Sequence, residues 1–220
     1  MSEMGEKVGR SVAAFRESGI AGFAALVRAY NRKRKNARAY ERYIEREKLD
    51  DAKRDKLRGK IAGFELEPKF SVILPVYNID EVWLAKCVDS VRRQIYANWE
   101  LCIADDASTT PHIRPFLERL AAEDGRVKVV FREENGHISA ASNSALGLAT
   151  GEFCVLLDHD DELAEDALFY VAAELNRFPE AKMIFSDEDV IDTEGHRSDP
   201  KFKPGFSPDL MLSLNMVTHL

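Results

Sequence analysis

Four short apolar runs, each followed by a helix-forming stretch, are the feature of the sequence that most limits its fold. The runs begin at Phe70, Trp99, Val127 and Phe153, so 29, 28 and 26 residues separate their starts. Each interval has room for one helix, and helical patterns occupy 80–94, 111–124 and 139–150. Such alternation is typical of a parallel, doubly wound sheet with right-handed crossovers. We therefore predict an α/β fold with a mostly parallel, Rossmann-like sheet flanked by helices.

The sequence after the fourth run predicts two more elements. Segment 162–178 has a helical pattern, and the apolar run within 182–190 predicts a fifth strand. The remaining residues, 191–220, are rich in turn formers and then helical.

The N-terminal segment differs from the rest of the chain in charge. The net charge is −7, but residues 1–60 hold 17 Lys and Arg against 9 Asp and Glu, whereas the remainder holds 14 against 29. Apolar residues recur there at helical spacing: Val12, Phe15, Ile20, Phe23, Leu26, Val27 and Tyr30. We predict a basic helical extension over residues 1–64 and an α/β domain over residues 65–220.

Two interpretations of the extension stay open. It is either an amphipathic, basic surface helix that contacts a partner or anionic lipid, the lipid contact lying in residues 10–40, or a solvated helical hairpin packed on the body. Nucleic acid is disfavoured as a partner because the aromatic and basic residues form no stacking platform.

The composition indicates where the protein is located and whether its cysteines form disulfides or bind metal. No apolar stretch approaches the roughly 20 residues that a membrane span needs, and no signal-peptide pattern precedes the body. We expect a cytoplasmic protein, with a peripheral contact at the inner face of the plasma membrane under the lipid interpretation. Cys87, Cys102 and Cys154 lack CxxC spacing and predict buried thiols.

Polar residues collect where the predicted strands end. In open α/β sheets, ligands bind beyond the carboxyl ends of the strands, near a topological switch point. The residues at these ends are Pro75, Tyr77 and Asn78 after the first strand, Asp105 and Asp106 after the second, "ENGHISAASN" after the third, and Asp158, His159 and Asp160 after the fourth. The sequence therefore predicts an acidic site with one aromatic ring and a helix start.

Among these residues, Asp158 and Asp160 point most specifically to one kind of site, a metal site. Two carboxylates at this spacing can hold Mg²⁺ or Mn²⁺, which prefer oxygen ligands and complete their shells with water and substrate phosphates. Alternatively, Asp161 or Glu162 caps the following helix while the other carboxylates are solvated. Neither GxGxxG nor GxxxxGK[ST] follows the first strand, which disfavours a standard dinucleotide fold or a P-loop.

Four blocks of the sequence together resemble the family 2 glycosyltransferases of GT-A fold, in particular bacterial enzymes that build cell-surface polysaccharide. The blocks are "FSVILPVYN", "ADDAST", "ENGHISAASNSALGLATGEFCVLLDHDDEL" and "SDEDVIDTEGHRSDPKFKPGFSPDLMLSLN", and the resemblance covers about residues 68–220. It implies a nucleoside-diphosphate-sugar donor, with a UDP-sugar as the first choice, and a saccharide or lipid-linked acceptor.

The resemblance also assigns roles to residues. Pro75, Tyr77 and Asp105 are expected in the nucleoside pocket, with Asp106 and His137 as weaker candidates. Asp158 and Asp160 form the expected metal-binding DxD motif, and Asp158 also faces the donor.

The implied reaction is displacement at the anomeric carbon with inversion, which needs a general base for the acceptor hydroxyl. Family members usually carry that aspartate further downstream, so we expect the chain to be truncated on its acceptor side. Asp187, Glu188 and Asp189 are the candidates that this sequence offers.

Two other functions stay open. An aspartate-nucleophile phosphatase also uses a DxD after an apolar strand, but there the motif normally follows the first strand. A non-catalytic module that binds nucleotide sugar or acts as a scaffold would have the same donor residues without transfer.

Overall fold

The computed structural model describes residues 3–215 and 217, and it describes side chains from residue 21 onward except those of 22, 23 and 26. The helices are α1 Glu3–Glu47, α2 Asp51–Ile61, α3 Glu81–Arg92, α4 Ile113–Glu123, α5 His137–Leu146, α6 Ala167–Arg177 and α7 Pro208–Ser213. The strands are β1 Phe70–Val76, β2 Trp99–Asp105, β3 Val127–Phe131, β4 Phe153–Leu156, β5 Glu188–Ile191 and β6 Arg197–Lys201.

Strands β1 to β4 form one parallel sheet in the order β3-β2-β1-β4. All seven residues of β1 and of β2 are buried, as expected for the central strands of a sheet covered on both faces. The strands begin at the four predicted residues, and the predicted α/β class is confirmed.

The helices cover the sheet through apolar residues at helical spacing. In α3, Leu84, Cys87, Val88 and Val91 are buried, and α6 contributes Leu168, Phe169, Ala172 and Leu175 to the same core. On the other face, Ala141 and Ala145 of α5 pack on Ile73 and Cys102. Small residues there let α5 lie close to the sheet.

A buried carboxylate joins the amino-terminal ends of the sheet strands. The Glu100 side chain on β2 is 2% exposed and pairs with Lys69 at 2.6 Å and Lys128 at 2.9 Å. It also accepts hydrogen bonds from the Ser71 hydroxyl at 2.7 Å and the Thr150 backbone N–H at 2.5 Å. Burial alone would raise the pKa of Glu100, but these hydrogen bonds outweigh burial and hold the pKa below its usual range.

The chain divides into two compact units. One contains residues 1–48 and 189–202, and the other contains residues 49–188 and 203–220. Helix α2, which the sequence analysis placed in the basic extension, lies in the unit with the four-stranded sheet. Apolar packing explains this placement. Leu57 of α2 is buried in the core, and Phe64, just after α2, stacks on Phe169 with ring centroids 5.6 Å apart.

Three predictions of local structure are wrong. Residues 182–187 are irregular, and instead of a fifth parallel strand, β5 pairs with β6 in a separate two-stranded sheet. The turn between them explains this pairing, because Asp192 accepts hydrogen bonds from the N–H groups of Glu194 and His196, and Gly195 adopts a φ of +87°.

The other two concern the start of α6 and one cysteine. Helix α6 begins at Ala167 rather than Glu162, because Ser90 of α3 and Gln94, just beyond α3, bind the backbone of the preceding residues. Cys87 and Cys102 are buried as predicted, but Cys154 is exposed, since α5 packs on β1, β2 and β3 while Cys154 lies on β4 at the sheet edge.

No helix in the described part of the chain is long and apolar enough to cross a bilayer.

We expect Glu100→Gln to lower the free energy of unfolding by about 3 kcal/mol at pH 7, because it leaves two lysines without their buried partner. Urea unfolding measures this change. Glu118→Gln is the matched control, since Glu118 is exposed and its pair with Arg114 is 3.6 Å long; its effect should stay within about 0.5 kcal/mol.

The penalty of Glu100→Gln should also depend on pH. The folded-state pKa of Glu100 is depressed, so its stabilising contribution is complete above the unfolded-state pKa of about 4.3 and declines as the pH falls toward the folded-state value. The difference between the variant and the wild type should therefore shrink below about pH 4. A difference that stayed constant from pH 7 to pH 3 would contradict this role.

Candidate functional site

The strand order creates a switch point beside β1. From β1 the chain moves to β2 and then β3 on one side, and it then crosses to β4 on the other side. A crevice is expected beyond the carboxyl ends of such neighbouring strands. The segments that leave these ends are 77–80, 106–112, 132–136 and 157–166.

Asn78 joins the segments that follow β1 and β2. Its side-chain oxygen accepts hydrogen bonds from the backbone N–H groups of Thr109 at 2.8 Å and Thr110 at 3.1 Å. Its own N–H donates to the Ser108 hydroxyl at 3.0 Å. Asn78 has a φ of +46°, a left-handed conformation that asparagine tolerates better than most residues. The residue therefore fixes the loop next to Tyr77.

Asp105 and Asp106 are both almost fully buried, at 3% and 2% exposure, but they have different partners. Asp105 accepts one hydrogen bond, from the Ser108 N–H at 3.2 Å. Asp106 forms an ion pair with Arg132 at 2.7 Å and accepts from the Gly136 N–H at 3.0 Å. Asp106 thus holds the segment after β3, whereas Asp105 keeps more of its hydrogen-bonding capacity.

Arg132, which pairs with Asp106, also binds residues of helix α5. Its guanidinium donates to the Ser144 hydroxyl at 2.7 Å and to the Ala140 carbonyl at 3.3 Å. Glycine is needed at position 136, since a Cβ there would lie 2.6 Å from an Arg132 nitrogen and 2.7 Å from the Ala140 Cβ. The start of α5 is therefore held against the carboxyl end of β2.

The remaining predicted donor residues lie at the same edge. Tyr77 is 43% exposed directly after β1, and Pro75 is buried within that strand. His137 is exposed, begins α5 and has a φ of +62°. His159 Nδ1 lies 3.2 Å from the Pro75 carbonyl oxygen, which fixes the segment after β4 against β1.

The segment after β4 concentrates negative charge. Asp158 is half-buried and Asp160 is exposed, and Asp161 and Glu162 follow at once. All four carboxylates affect the buried Cys87 thiol. Burial is the main cause that raises the pKa of Cys87, and the negative charges of the four carboxylates raise it further. Glu162 has a cation partner, Arg93, at 3.7 Å. Within the described residues, the Asp158 and Asp160 carboxylates have no ion pair or hydrogen bond.

The donor set fits a hard cation that is completed by other ligands. The described residues hold no group of three or more His, Cys, Asp and Glu side chains that could form a closed metal site. Mg²⁺ commonly uses only one or two carboxylates and takes its other ligands from water and substrate phosphates. Asp158 and Asp160 match that pattern.

Two polar residues that were not among the predicted site residues hold this segment: Ser90 of α3, and Gln94, which lies just beyond the end of α3. The Ser90 hydroxyl accepts from the Leu163 N–H at 3.0 Å. Gln94 donates to the Ala164 carbonyl at 2.6 Å and accepts from the Leu168 N–H at 3.0 Å. A serine among the apolar residues of α3 and a glutamine just after that helix are the sequence signal that could have revealed them.

The three candidate general bases each have a local partner. Asp187 is exposed and accepts from the Lys203 N–H at 2.7 Å, and Glu188 lies 3.1 Å from the Lys203 ammonium. Asp189 forms an ion pair with Arg197 at 2.7 Å and accepts a short hydrogen bond from the Tyr40 hydroxyl. The described contacts do not link them to segment 157–166.

The family model of "Glycosyl transferase family 2" matches residues 71–213, which include every strand end described above. The chain therefore belongs to glycosyl transferase family 2. The resemblance inferred from the sequence blocks is confirmed.

Curated relatives agree with this assignment. The chain is 51% identical over 153 residues to an uncharacterized protein of Sinorhizobium fredii, a match that covers 70% of this chain and 17% of the relative. It is 37% identical over 159 residues to an O-antigen biosynthesis protein of Myxococcus xanthus, covering 72% of this chain and 12% of the relative. The chain thus spans less than a fifth of the length of these two relatives.

Among solved structures, a mannosyltransferase from Pyrobaculum calidifontis in complex with GDP-Man and Mn²⁺ is 27% identical. That match has a TM-score of 0.47 and covers 58% of this chain and 37% of the other.

Replacing Asn78 tests its role in joining the two loops. We expect Asn78→Ala to lower the free energy of unfolding by about 1–3 kcal/mol, because two backbone N–H groups lose their acceptor and alanine is strained at this φ. Asn78→Asp keeps an acceptor oxygen and tolerates the conformation, so its loss should be smaller. Equal losses for both variants in urea unfolding would contradict this role.

Proposed function

We propose that this domain binds a nucleoside-diphosphate sugar together with Mg²⁺ or Mn²⁺ and transfers the sugar, with inversion at its anomeric carbon, to a saccharide or lipid-linked acceptor. One observation carries the proposal. In a family 2 chain, Asp158 and Asp160 lie at the sheet switch point, and no cation among the described side chains pairs with them. A sugar donor brings the diphosphate that, with a divalent cation, completes such a pair.

The nucleoside half of the donor is assigned to the ends of β1 and β2. Tyr77 offers an exposed ring on which a base can stack. Asp105 is the better partner for a base N–H, because Asp106 is already engaged by Arg132 and Gly136. Pro75 shapes the floor of the pocket, and His137 is a candidate contact at the start of α5. UDP is the first choice of nucleotide.

Asp158 and Asp160 are the residues that would hold the cation, and Asp158 is also a candidate contact for the donor. When bound, a divalent cation supplies Lewis-acid stabilisation of the charge on the leaving diphosphate. The protein's part is to keep the two carboxylates on one short turn, in which the Asp161 N–H donates to the Asp158 carbonyl at 3.1 Å.

The general base is proposed from the three acidic residues near β5. Protonation of Glu188 or Asp189 would break the ion pair with Lys203 or Arg197. Asp187 is exposed and has only a backbone donor among its described hydrogen bonds. We therefore favour Asp187 as the residue that takes the proton of the acceptor hydroxyl.

Two alternatives predict different outcomes. A non-catalytic donor-binding module would bind the nucleotide and metal without transferring sugar. A phosphatase would release phosphate from simple phosphoesters, but membership of family 2 and a DxD after β4 rather than β1 favour transfer.

The acceptor class is proposed from one relative. The Myxococcus xanthus protein is named for O-antigen biosynthesis, and it matches 72% of this chain. Synthesis of a cell-surface polysaccharide is therefore the process in which we place the domain.

The inner face of the plasma membrane is the location we propose. Residues 18–40 hold six Lys and Arg and no Asp or Glu, and the first ten of these residues are mainly apolar. All of residues 31–39 are exposed on α1. An apolar stretch next to a polybasic stretch is typical of helices that bind anionic lipid. The predicted contact over residues 10–40 falls partly on side chains outside the described set.

Calorimetry with UDP, GDP, ADP and CDP, with and without Mn²⁺, tests the donor site. We expect metal-dependent binding of one nucleotide, and a dissociation constant at least about tenfold higher in Asp160→Asn, because one cation ligand loses its charge. Glu162→Gln is the matched control: it removes a carboxylate from the same segment that is already paired with Arg93. Equal losses in both variants, or binding that ignores the metal, would contradict the assignment.

Co-sedimentation with lipid vesicles tests the membrane contact. The wild type should bind vesicles with about a third phosphatidylglycerol at low salt, and not vesicles of phosphatidylcholine alone. Reversing Arg34, Lys35 and Arg38 to Glu should abolish binding. The same reversal at Lys60, Arg92 and Arg177, which are exposed in the other unit, should not. Loss of binding in both triple variants would instead indicate a general effect of net charge.

A further inference from the structure

We propose that Arg54 of α2 is a positioning residue for the donor site, because it fixes the segment that carries Asp158 and Asp160 through an ion pair with Glu165. This inference rests on the proposed function. It extends the site to a helix that lies N-terminal to the region matched by the family model, which begins at residue 71.

Segment 157–166 has little regular structure of its own. Between the end of β4 and the start of α6, its internal backbone bonds are a turn from Asp158 to Asp161 and one from Ala164 to Ala167. Its position therefore depends on neighbouring elements. Ser90 of α3 and the two residues after its C-cap, Gln94 and Ile95, hold the backbone, and the Ile95 N–H donates to the Glu165 carbonyl at 2.9 Å.

Arg54 adds a side-chain contact from a second direction. Its Nε lies 2.8 Å from Glu165 Oε1, and its Nη2 lies 3.0 Å from Oε2, so the pair is bidentate. The side chains are 29% and 25% exposed, which limits screening by solvent. Bidentate pairs between guanidinium and carboxylate are stronger and more directional than a single contact.

Helix α2 is a firm base for this contact. Asp50 caps its start by accepting from the Lys53 N–H at 2.7 Å, and Leu57 is buried in the core. The Arg54 guanidinium is itself oriented by Asp51, whose carboxylate lies 3.1 Å from Nη1. Contacts within α2 therefore position the Arg54 guanidinium that binds the Glu165 carboxylate.

The contact opposes a specific force. Four carboxylates lie between residues 158 and 162, and their mutual repulsion favours any displacement of the segment that separates them. A bound site tolerates displacements of only about 0.5 Å. Arg54 binds Glu165, five residues after Asp160, in a fixed bidentate geometry and so limits this displacement.

The test compares wild type, Arg54→Met and Glu165→Gln with the doubly exchanged Arg54→Glu/Glu165→Arg variant. Arg58→Met is the matched control, since Arg58 is on the same helix and pairs only with exposed Asp55 at 3.2 Å among the described contacts. Two measurements are made well below the unfolding temperature: amide hydrogen exchange over residues 158–166, and the dissociation constant of UDP with Mn²⁺.

We expect exchange over residues 158–166 to be about tenfold faster in Arg54→Met and Glu165→Gln. The dissociation constant should rise about tenfold, comparable with the loss of other residues that orient metal ligands. The exchanged pair should recover part of both losses, and Arg58→Met should match the wild type.

Other results separate the possible failures. Unchanged exchange in Arg54→Met would overturn the inference whatever the ligand data show. Faster exchange with an unchanged dissociation constant would mean a merely structural pair, and would also overturn it. A wild type that binds no UDP with Mn²⁺, alongside altered exchange in the variants, would instead refute the proposed donor and leave the Arg54 contact without a role in it.

Discussion

The alignment of the four parallel strands depends on one buried carboxylate. Glu100 on β2 reaches Ser71 on β1, Lys128 on β3 and the Thr150 backbone just before β4. Its charge is balanced by two lysines, and its oxygens are satisfied by further donors, so burial does not neutralise it. Because this network lies at the amino-terminal ends, the opposite ends of the strands are free to carry loops selected for binding rather than for stability.

The carboxyl ends show the opposite electrostatic arrangement. There, negative charge accumulates between residues 158 and 162, and only part of it is balanced by protein cations such as Arg93. The loops are nevertheless well held: Asn78 ties the β1 and β2 segments together, Arg132 ties β3 and α5 to Asp106, and α3 and α2 hold the segment after β4. A fixed site with unbalanced negative charge is suited to a cation and an anionic ligand.

The sequence predicts the parts of this fold that are governed by local patterns. The four strand starts and the convergence of Tyr77, Asp105 and Asp158 at one edge follow from apolar periodicity and parallel topology. It fails where tertiary contacts decide. The start of α6 depends on Ser90 and Gln94, and the placement of α2 depends on Leu57 and Phe64, none of which has a local signal of its role. Arg132 and the loop-joining role of Asn78 depend on contacts about 26 and 30 residues away and were missed for the same reason.

The proposed function requires that Asp158 and Asp160 hold a divalent cation that a nucleotide diphosphate shares. Anomalous diffraction from crystals soaked with Mn²⁺ and UDP tests it most directly. We expect a manganese peak within about 2.5 Å of a carboxylate oxygen of Asp158 or Asp160, next to density for the diphosphate. A diphosphate bound elsewhere, or manganese located away from both carboxylates, would contradict it.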